Sequence, residues 1–259
     1  MKCDLQKIRC FLLDMDGTVY LSGKLLAGAK DTIARMRAQG RAVFLTNNTS
    51  RSKDDYVARL NGLGLDVARE DVFTAADAAI NYLRARKGGS RVYLFGTESL
   101  HKEFAGAGIE LVKERPDVAV VGFHTELVFE DLAVLCNFIR EGVPYILTHP
   151  DKNCPHEGGY LPDVGSILSL IRTSTEKEPE AVLGKPCAVM GELISATLHN
   201  RPEETLMMGD RPETDIAFAK NCGYFSVLVL SGATDRARLE RSEIQPDLVL
   251  NSIADLFEV

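Results

Sequence analysis

Two carboxylates, Asp14 and Asp16, stand one residue apart where an almost wholly apolar run, residues 8–13, gives way to Asp14-Met15-Asp16-Gly17-Thr18. A buried strand continuing through this point would send the two side chains to opposite faces and leave both charges uncompensated. A countercharge is therefore called for. Mg²⁺ supplies one naturally, because it takes hard oxygen ligands and keeps several waters and phosphate oxygens in its shell. Gly17 allows a sharp turn that frees nearby amides to face an anion. Taken alone, the same pentapeptide is also what an Asp-Gly turn with a neighbouring Asp looks like.

Further along the chain are groups that complete such a site. Thr46 and Asn47 follow a second apolar run and offer a hydroxyl and amide groups to a phosphate oxygen, while Lys185 in Gly184-Lys185-Pro186 offers a point charge. Asp210, in Gly209-Asp210-Arg211-Pro212-Glu213-Thr214-Asp215, adds a carboxylate at another strand end. Each has a duller reading on its own: Thr46 as a turn residue, Lys185 as a solvated loop cation, Asp210 and Thr214 as helix caps. Together they form a set with a definite order.

The elements that must position them follow from periodicity. Residues 8–13 and 42–45 read as strands buried on both faces of a parallel sheet, each stopping in a polar cluster. Between them, residues 29–39 place Ile33 and Met36 on one helical face, with Gly40 as the residue after the helix. Ser52 with Asp55 makes a capping box for a helix carrying Val57, Leu60 and Leu63. The alternation returns with strands at 91–95, 118–121 and 144–147, a helix near Leu100 and another over 130–140, and again with a strand at 205–208, a helix over 214–222 and a strand at 226–229. Lys87-Gly88-Gly89-Ser90 reads as a hinge or a loop. Strand, helix and strand in this order give a right-handed parallel α/β sheet with its ligand site at the carboxyl edge.

The ordered set resembles the four motifs of the haloacid dehalogenase-like (HAD) hydrolases: Asp14-Met15-Asp16-Gly17-Thr18, Thr46-Asn47-Asn48, Lys185, and Gly209-Asp210 with Asp215. The resemblance implies an α/β fold, a Rossmann-like parallel-sheet core of residues 1–78 and 181–259 carrying a large inserted α/β cap over 79–180. That arrangement is similar to subfamily IIA, the 4-nitrophenyl phosphatase branch. It also implies roles. Asp14 is the nucleophile and forms an aspartyl-phosphate; Asp16 serves as acid and then base; Thr46, Asn47 and Lys185 grip phosphate oxygens. Mg²⁺ is held by Asp14, by Asp210 and by the main-chain carbonyl of Asp16, with Asp215 supporting Lys185 or the metal's waters from behind. The second Asp of the first motif favours phosphate over halide chemistry. A Mg²⁺-dependent phosphatase for small phosphomonoesters is the implied activity. A phosphomutase or phosphotransferase is the nearest alternative, and a non-hydrolytic phosphoacceptor or phosphate-binding protein lies in a different class.

Other segments carry less. Thr148-His149-Pro150-Asp151-Lys152-Asn153-Cys154-Pro155-His156 holds two His and a Cys, but lacks a fourth zinc ligand; His149, Asp151 and Asn153 are better placed as a substrate-selecting loop, or as a surface loop without function. Gly62-Leu63-Gly64 follows a helix and is not a dinucleotide fingerprint, and Lys185 lacks the surroundings of a nucleotide-binding P-loop.

The bulk numbers agree with these readings. A chain of 259 residues accommodates a core domain with a substantial insertion, and its 45% hydrophobic and 26% charged residues are ordinary for a globular protein. Thirty Lys plus Arg against 37 Asp plus Glu give a net charge of −7, which disfavours nucleic acid as a partner. Cys3, Cys10, Cys136, Cys154, Cys187 and Cys222 show no paired spacing, so reduced thiols in a cytoplasmic protein are expected. No apolar stretch has membrane-spanning length. The small-molecule partner leaves a homodimer open.

Overall fold

The computed structural model describes residues 5–156 and 158–258. The chain begins with β1 (Cys10–Asp14), the short hairpin β2 (Tyr20–Leu21) and β3 (Lys24–Leu25), α1 (Ala29–Gln39), β4 (Arg41–Thr46), α2 (Lys53–Gly62) and β5 (Val72–Thr74). It continues through α3 (Ala75–Arg86), β6 (Val92–Phe95), α4 (Glu98–Gly106), β7 (Val118–Val121), α5 (Phe129–Arg140), β8 (Tyr145–Leu147), β9 (Asn153–His156), β10 (Gly159–Pro162), α6 (Val164–Thr175) and β11 (Ala181–Val182). It closes with α7 (Ala188–Leu198), β12 (Thr205–Gly209), α8 (Ala217–Cys222), β13 (Phe225–Val229), α9 (Arg236–Glu240) and β14 (Leu248–Leu250). Two compact units result, one of Met1–Thr46, Tyr56–Phe73 and Lys185–Val259, the other of Asn47–Asp55 and Thr74–Gly184.

In the first unit six strands order as β14-β13-β12-β1-β4-β5. β1 lies inside the sheet, parallel to both β12 and β4. Phe11, Leu12 and Leu13 are fully buried there, which is why this strand reads as a continuous apolar run and not as an alternation. Register then aligns the strand ends. Asp14 pairs with Leu45 and Leu13 with Met208, so Asp14, Thr46 and Asp210 all emerge at the carboxyl edge. Ile33 and Met36 of α1 pack into the same core as Phe11, Phe44 and Met208.

The second unit is built on its own sheet, β11-β8-β7-β6, with parallel pairing throughout. Its core packs Phe95, Val121 and Leu147 against Leu135 and Ile139 of α5 and Ile167 and Ile171 of α6. The Ser52–Asp55 capping box forms as expected, each residue's backbone N–H bonding the other's side chain, at 2.9 and 3.2 Å.

Two local expectations need correction, and a third resolves to one of its alternatives. Asn153–His156 and Gly159–Pro162 pair as antiparallel strands, with Gly159 opposite His156 and Pro162 opposite Asn153, where the sequence reads as a loop. A two-stranded ribbon tolerates proline because each strand has an unpaired edge. Gly40 does not end α1 in the left-handed conformation; its φ is −171°, and a Cβ there would run into the Arg9 carbonyl, so close approach is what requires glycine. Lys87–Ser90 is a turn inside the second unit, between α3 and β6, and does not link the units. Cys3 lies outside the described residues; Cys10, Cys136, Cys154, Cys187 and Cys222 are free thiols. Among the described residues no helix is long and apolar enough to cross a membrane.

Candidate active site

The site is assembled at the carboxyl edge of the first sheet. Lys185 is 2% exposed and donates to Asp14 Oδ1 at 2.6 Å and to Asp215 Oδ1 at 2.7 Å. Its reading as a solvated loop cation is thereby excluded. Asp215 Oδ2 in turn accepts from the backbone N–H groups of Asp210 and Arg211, at 3.2 and 3.1 Å, so one carboxylate ties the ammonium to the loop carrying Asp210. Asp14, Asp210 and Asp215 each present an oxygen within 4.8 Å of the others.

Three carboxylates around one ammonium make the cluster anionic, and the ionisation equilibria reflect this. Burial, together with the charges of Asp215 and Asp210, holds the Asp14 carboxyl well above the usual carboxylate range despite Lys185. Burial and the neighbouring Asp215 push Asp210 up to about 6. Burial works to lower Lys185, but Asp14 and Asp215 outweigh it and the ammonium is held above its ordinary range. A hard divalent cation fits this all-oxygen donor set, since it would supply the charge that the carboxylates lack.

The loop after β1 is tightly fixed. The amides of Thr18, Val19 and Tyr20 converge on the Met15 carbonyl at 3.3, 2.9 and 3.2 Å, and Gly17 takes φ +88°. A second loop, Ser231-Gly232-Ala233, closes over it: Ser231 Oγ donates to the Gly17 carbonyl at 2.7 Å and the Ala233 amide donates to Asp210 Oδ2 at 2.6 Å. A Cβ on either Gly17 or Gly232 would overlap the Asp210 carboxylate, so two glycines define its seat. Sequence reasoning missed this second loop. The signal was present, because Ser231-Gly232 follows the apolar run of β13 and Leu230, much as Thr46-Asn47 closes that of β4.

Of the other expected residues, Thr46 is buried at the end of β4 in the first unit, and Asp16 is exposed on the loop after β1. Asn47 belongs to the second unit, where its amide donates to Asp151 Oδ2 at 3.2 Å. His149 is fully buried with its ring nitrogens 3.8 Å from Asp151 and 3.6 Å from Asp163. Asn153 is exposed at the start of β9, and His156 is exposed as well, away from the buried company of His149. The His149–Cys154–His156 zinc grouping therefore does not assemble; Asp151 and Asp163 are the groups gathered around His149.

A haloacid dehalogenase-like hydrolase model matches residues 11–110, and a HAD-hydrolase-like model matches residues 182–256. A dihydroxyacetone phosphatase of Corynebacterium glutamicum (strain R) is 35% identical over 248 residues, covering 95% of this chain and 90% of that protein. The chain belongs to the haloacid dehalogenase-like hydrolase family. Within the family its solved structural relatives are of the 4-nitrophenyl phosphatase type. A 4-nitrophenylphosphatase from Thermotoga maritima superposes with a TM-score of 0.96 at 39% identity, over 98% of both chains. A glycerol phosphate phosphatase from Mycobacterium tuberculosis in complex with magnesium gives 0.89 at 34% identity, over 98% of this chain and 77% of that one. HAD hydrolases differ in what they act on, so the residues of this chain must carry the functional argument.

Proposed function

We propose that this HAD hydrolase is a Mg²⁺-dependent phosphatase that transfers the phosphoryl group of a small phosphomonoester to Asp14 and then releases it to water. The observation that carries the reading is the cluster of Asp14, Asp210 and Asp215 around a single buried ammonium, an oxygen-only site one divalent charge short of balance.

Asp14 attacks phosphorus in line; Lys185 holds the attacking carboxylate in place and neutralises a phosphate oxygen as the group arrives. Thr46 and Asn47 add hydrogen bonds to the phosphate. Asp16 protonates the departing oxygen and then takes a proton from the water that cleaves the aspartyl-phosphate. Asp14, Asp210 and the Asp16 carbonyl hold the metal, which when bound neutralises charge on the transferring group. Because Asp14 resists ionisation while the cluster lacks positive charge, its readiness as a nucleophile is linked to metal occupancy. Asp215 keeps Lys185 and the Asp210 loop in register.

The second unit, which includes the expected cap of residues 79–180, selects the substrate, with Asp151 and Asn153 as its candidate contacts and the buried His149 beside Asp151. Relatives named for dihydroxyacetone phosphate and glycerol phosphate chemistry support short phosphorylated polyols and sugars as the first substrates to try. The free thiols of the five described cysteines are compatible with a reducing, cytoplasmic setting. The test is phosphate release from 4-nitrophenyl phosphate and a panel of sugar phosphates, with and without Mg²⁺. Asp14→Asn should abolish release. Wild-type protein inactive with Mg²⁺ on the whole panel would refute the reading.

A further inference from the structure

The phenol of Tyr20 has a place in this loop that the roles above leave unused. Its side chain is 0% exposed, yet its hydroxyl reaches the rim of the site and donates to Asp16 Oδ2 at 3.0 Å. The backbone enforces that approach. The amide of Gly17 donates to the Tyr20 carbonyl at 2.8 Å, Asp16 and Tyr20 form an isolated bridge, and the Tyr20 amide is held by Met15. The Arg59 guanidinium lies over the Tyr20 ring, 4.4 Å from its centroid, and helps to hold the ring. Asp16 itself is exposed, and an exposed aspartate ordinarily samples several rotamers, of which few would aim a proton at a leaving oxygen.

We infer that Tyr20, steadied by Arg59, is a positioning residue that presets the Asp16 carboxyl for proton transfer to the leaving group. The inference rests on the acid role proposed for Asp16. The Asp16 carboxyl carries the proton that the leaving group receives. As that proton passes to the ester oxygen and the P–O bond breaks, negative charge grows on Asp16, and a hydrogen bond from Tyr20 to a carboxylate is stronger than one to a neutral carboxyl. The contact therefore favours the transition state over the ground state.

The consequence is a dependence on leaving group. A 4-nitrophenolate departs without a proton, whereas an alkoxide needs one. Tyr20→Phe, which preserves the buried ring, should lower kcat/KM for an alkyl phosphate such as glycerol phosphate by about tenfold, part of the total that general acid catalysis supplies. With 4-nitrophenyl phosphate the change should stay below about threefold, because formation of the aspartyl-phosphate from that ester needs no acid. Arg59→Met, which keeps the hydroxyl, should produce the same split at smaller size; it decides the matter if Tyr20→Phe does not fold. An equal loss on both esters, or no loss on either, would overturn the role assigned to Tyr20. Asp16→Asn serves as the control that separates the two levels: if it too lacks a leaving-group split, the acid role of Asp16 fails, and not merely the positioning by Tyr20.

Discussion

Replacing Lys185 by Met removes the one ammonium that faces Asp14 and Asp215, at 2.6 and 2.7 Å, while keeping most of its volume. Each charge pair at this spacing is worth roughly 5–6 kcal/mol of gross Coulomb energy at an effective dielectric of about 20, most of it offset by the burial of the charges. What the variant loses is the compensation, and stranding buried carboxylates in this way costs about 3–5 kcal/mol. The variant can recover part of that by protonation. Its native state should take up about one proton more than the wild-type native state does between about pH 7 and pH 5, where ordinary carboxylates are ionised, and two pH units at one proton are worth about 2.7 kcal/mol. Urea denaturation followed by far-ultraviolet circular dichroism, suited to a chain without tryptophan, measures both quantities. The difference from wild type should be about 3–5 kcal/mol at pH 7 and should shrink toward about 1–2 kcal/mol at pH 5. A loss below about 1 kcal/mol at pH 7, or one independent of pH, would refute the premise that Lys185 is the cation that offsets this cluster.

Other consequences follow from the same geometry. Asp215→Asn keeps the shape but removes the charge that holds Lys185, and should lower Mg²⁺ affinity or kcat/KM by about 10–100-fold, readable by titrating activity against Mg²⁺. Gly232→Ala drives a methyl into the Asp210 carboxylate; Mg²⁺ affinity should fall by more than about tenfold, with a stability cost of only about 1–3 kcal/mol in urea melts. Asp210, pushed up to about 6, makes the metal-free native state hold a proton that the unfolded chain has released, so the stability this group contributes is present below about pH 4 and is lost as pH rises toward 6. A metal must displace that proton. Adding Mg²⁺ should therefore raise Tm more at about pH 7.5 than at about pH 5.5, and an equal rise at both would count against Asp210 as a ligand.

Where the strands are buried on both faces, the sequence displays the fold plainly. β1, β4 and β12 appear as apolar runs that stop in polar clusters, and those clusters are where Asp14, Thr46 and Asp210 emerge. α1 is equally readable, because Ile33 and Met36 fall on one face and a glycine closes it. α3 is not so marked: its run of alanines shows little periodicity, although Thr74 and Asp77 do form a reciprocal capping box. The pair of strands Asn153–His156 and Gly159–Pro162 is hidden because proline and glycine normally announce loops, and only the pairing of the two edges makes strands of them. That Asn47 sides with the second unit, one residue after Thr46 in the first, depends on long-range packing that no local pattern encodes. Tyr20 escaped notice for a related reason. A tyrosine in an apolar stretch reads as core, and its contact with Asp16 is set by the turn at Gly17.

The most direct test of the account is to mix the enzyme with Mg²⁺ and a turned-over phosphomonoester, quench in acid within the first turnovers, and map phosphoryl adducts on its peptides by mass spectrometry. The adduct should sit on the peptide containing Asp14, form only with Mg²⁺ present, and be missing from Asp14→Asn. Release of phosphate with no adduct trapped under any quench, or an adduct on a different residue, would contradict the central claim that Asp14 is the group that strikes phosphorus.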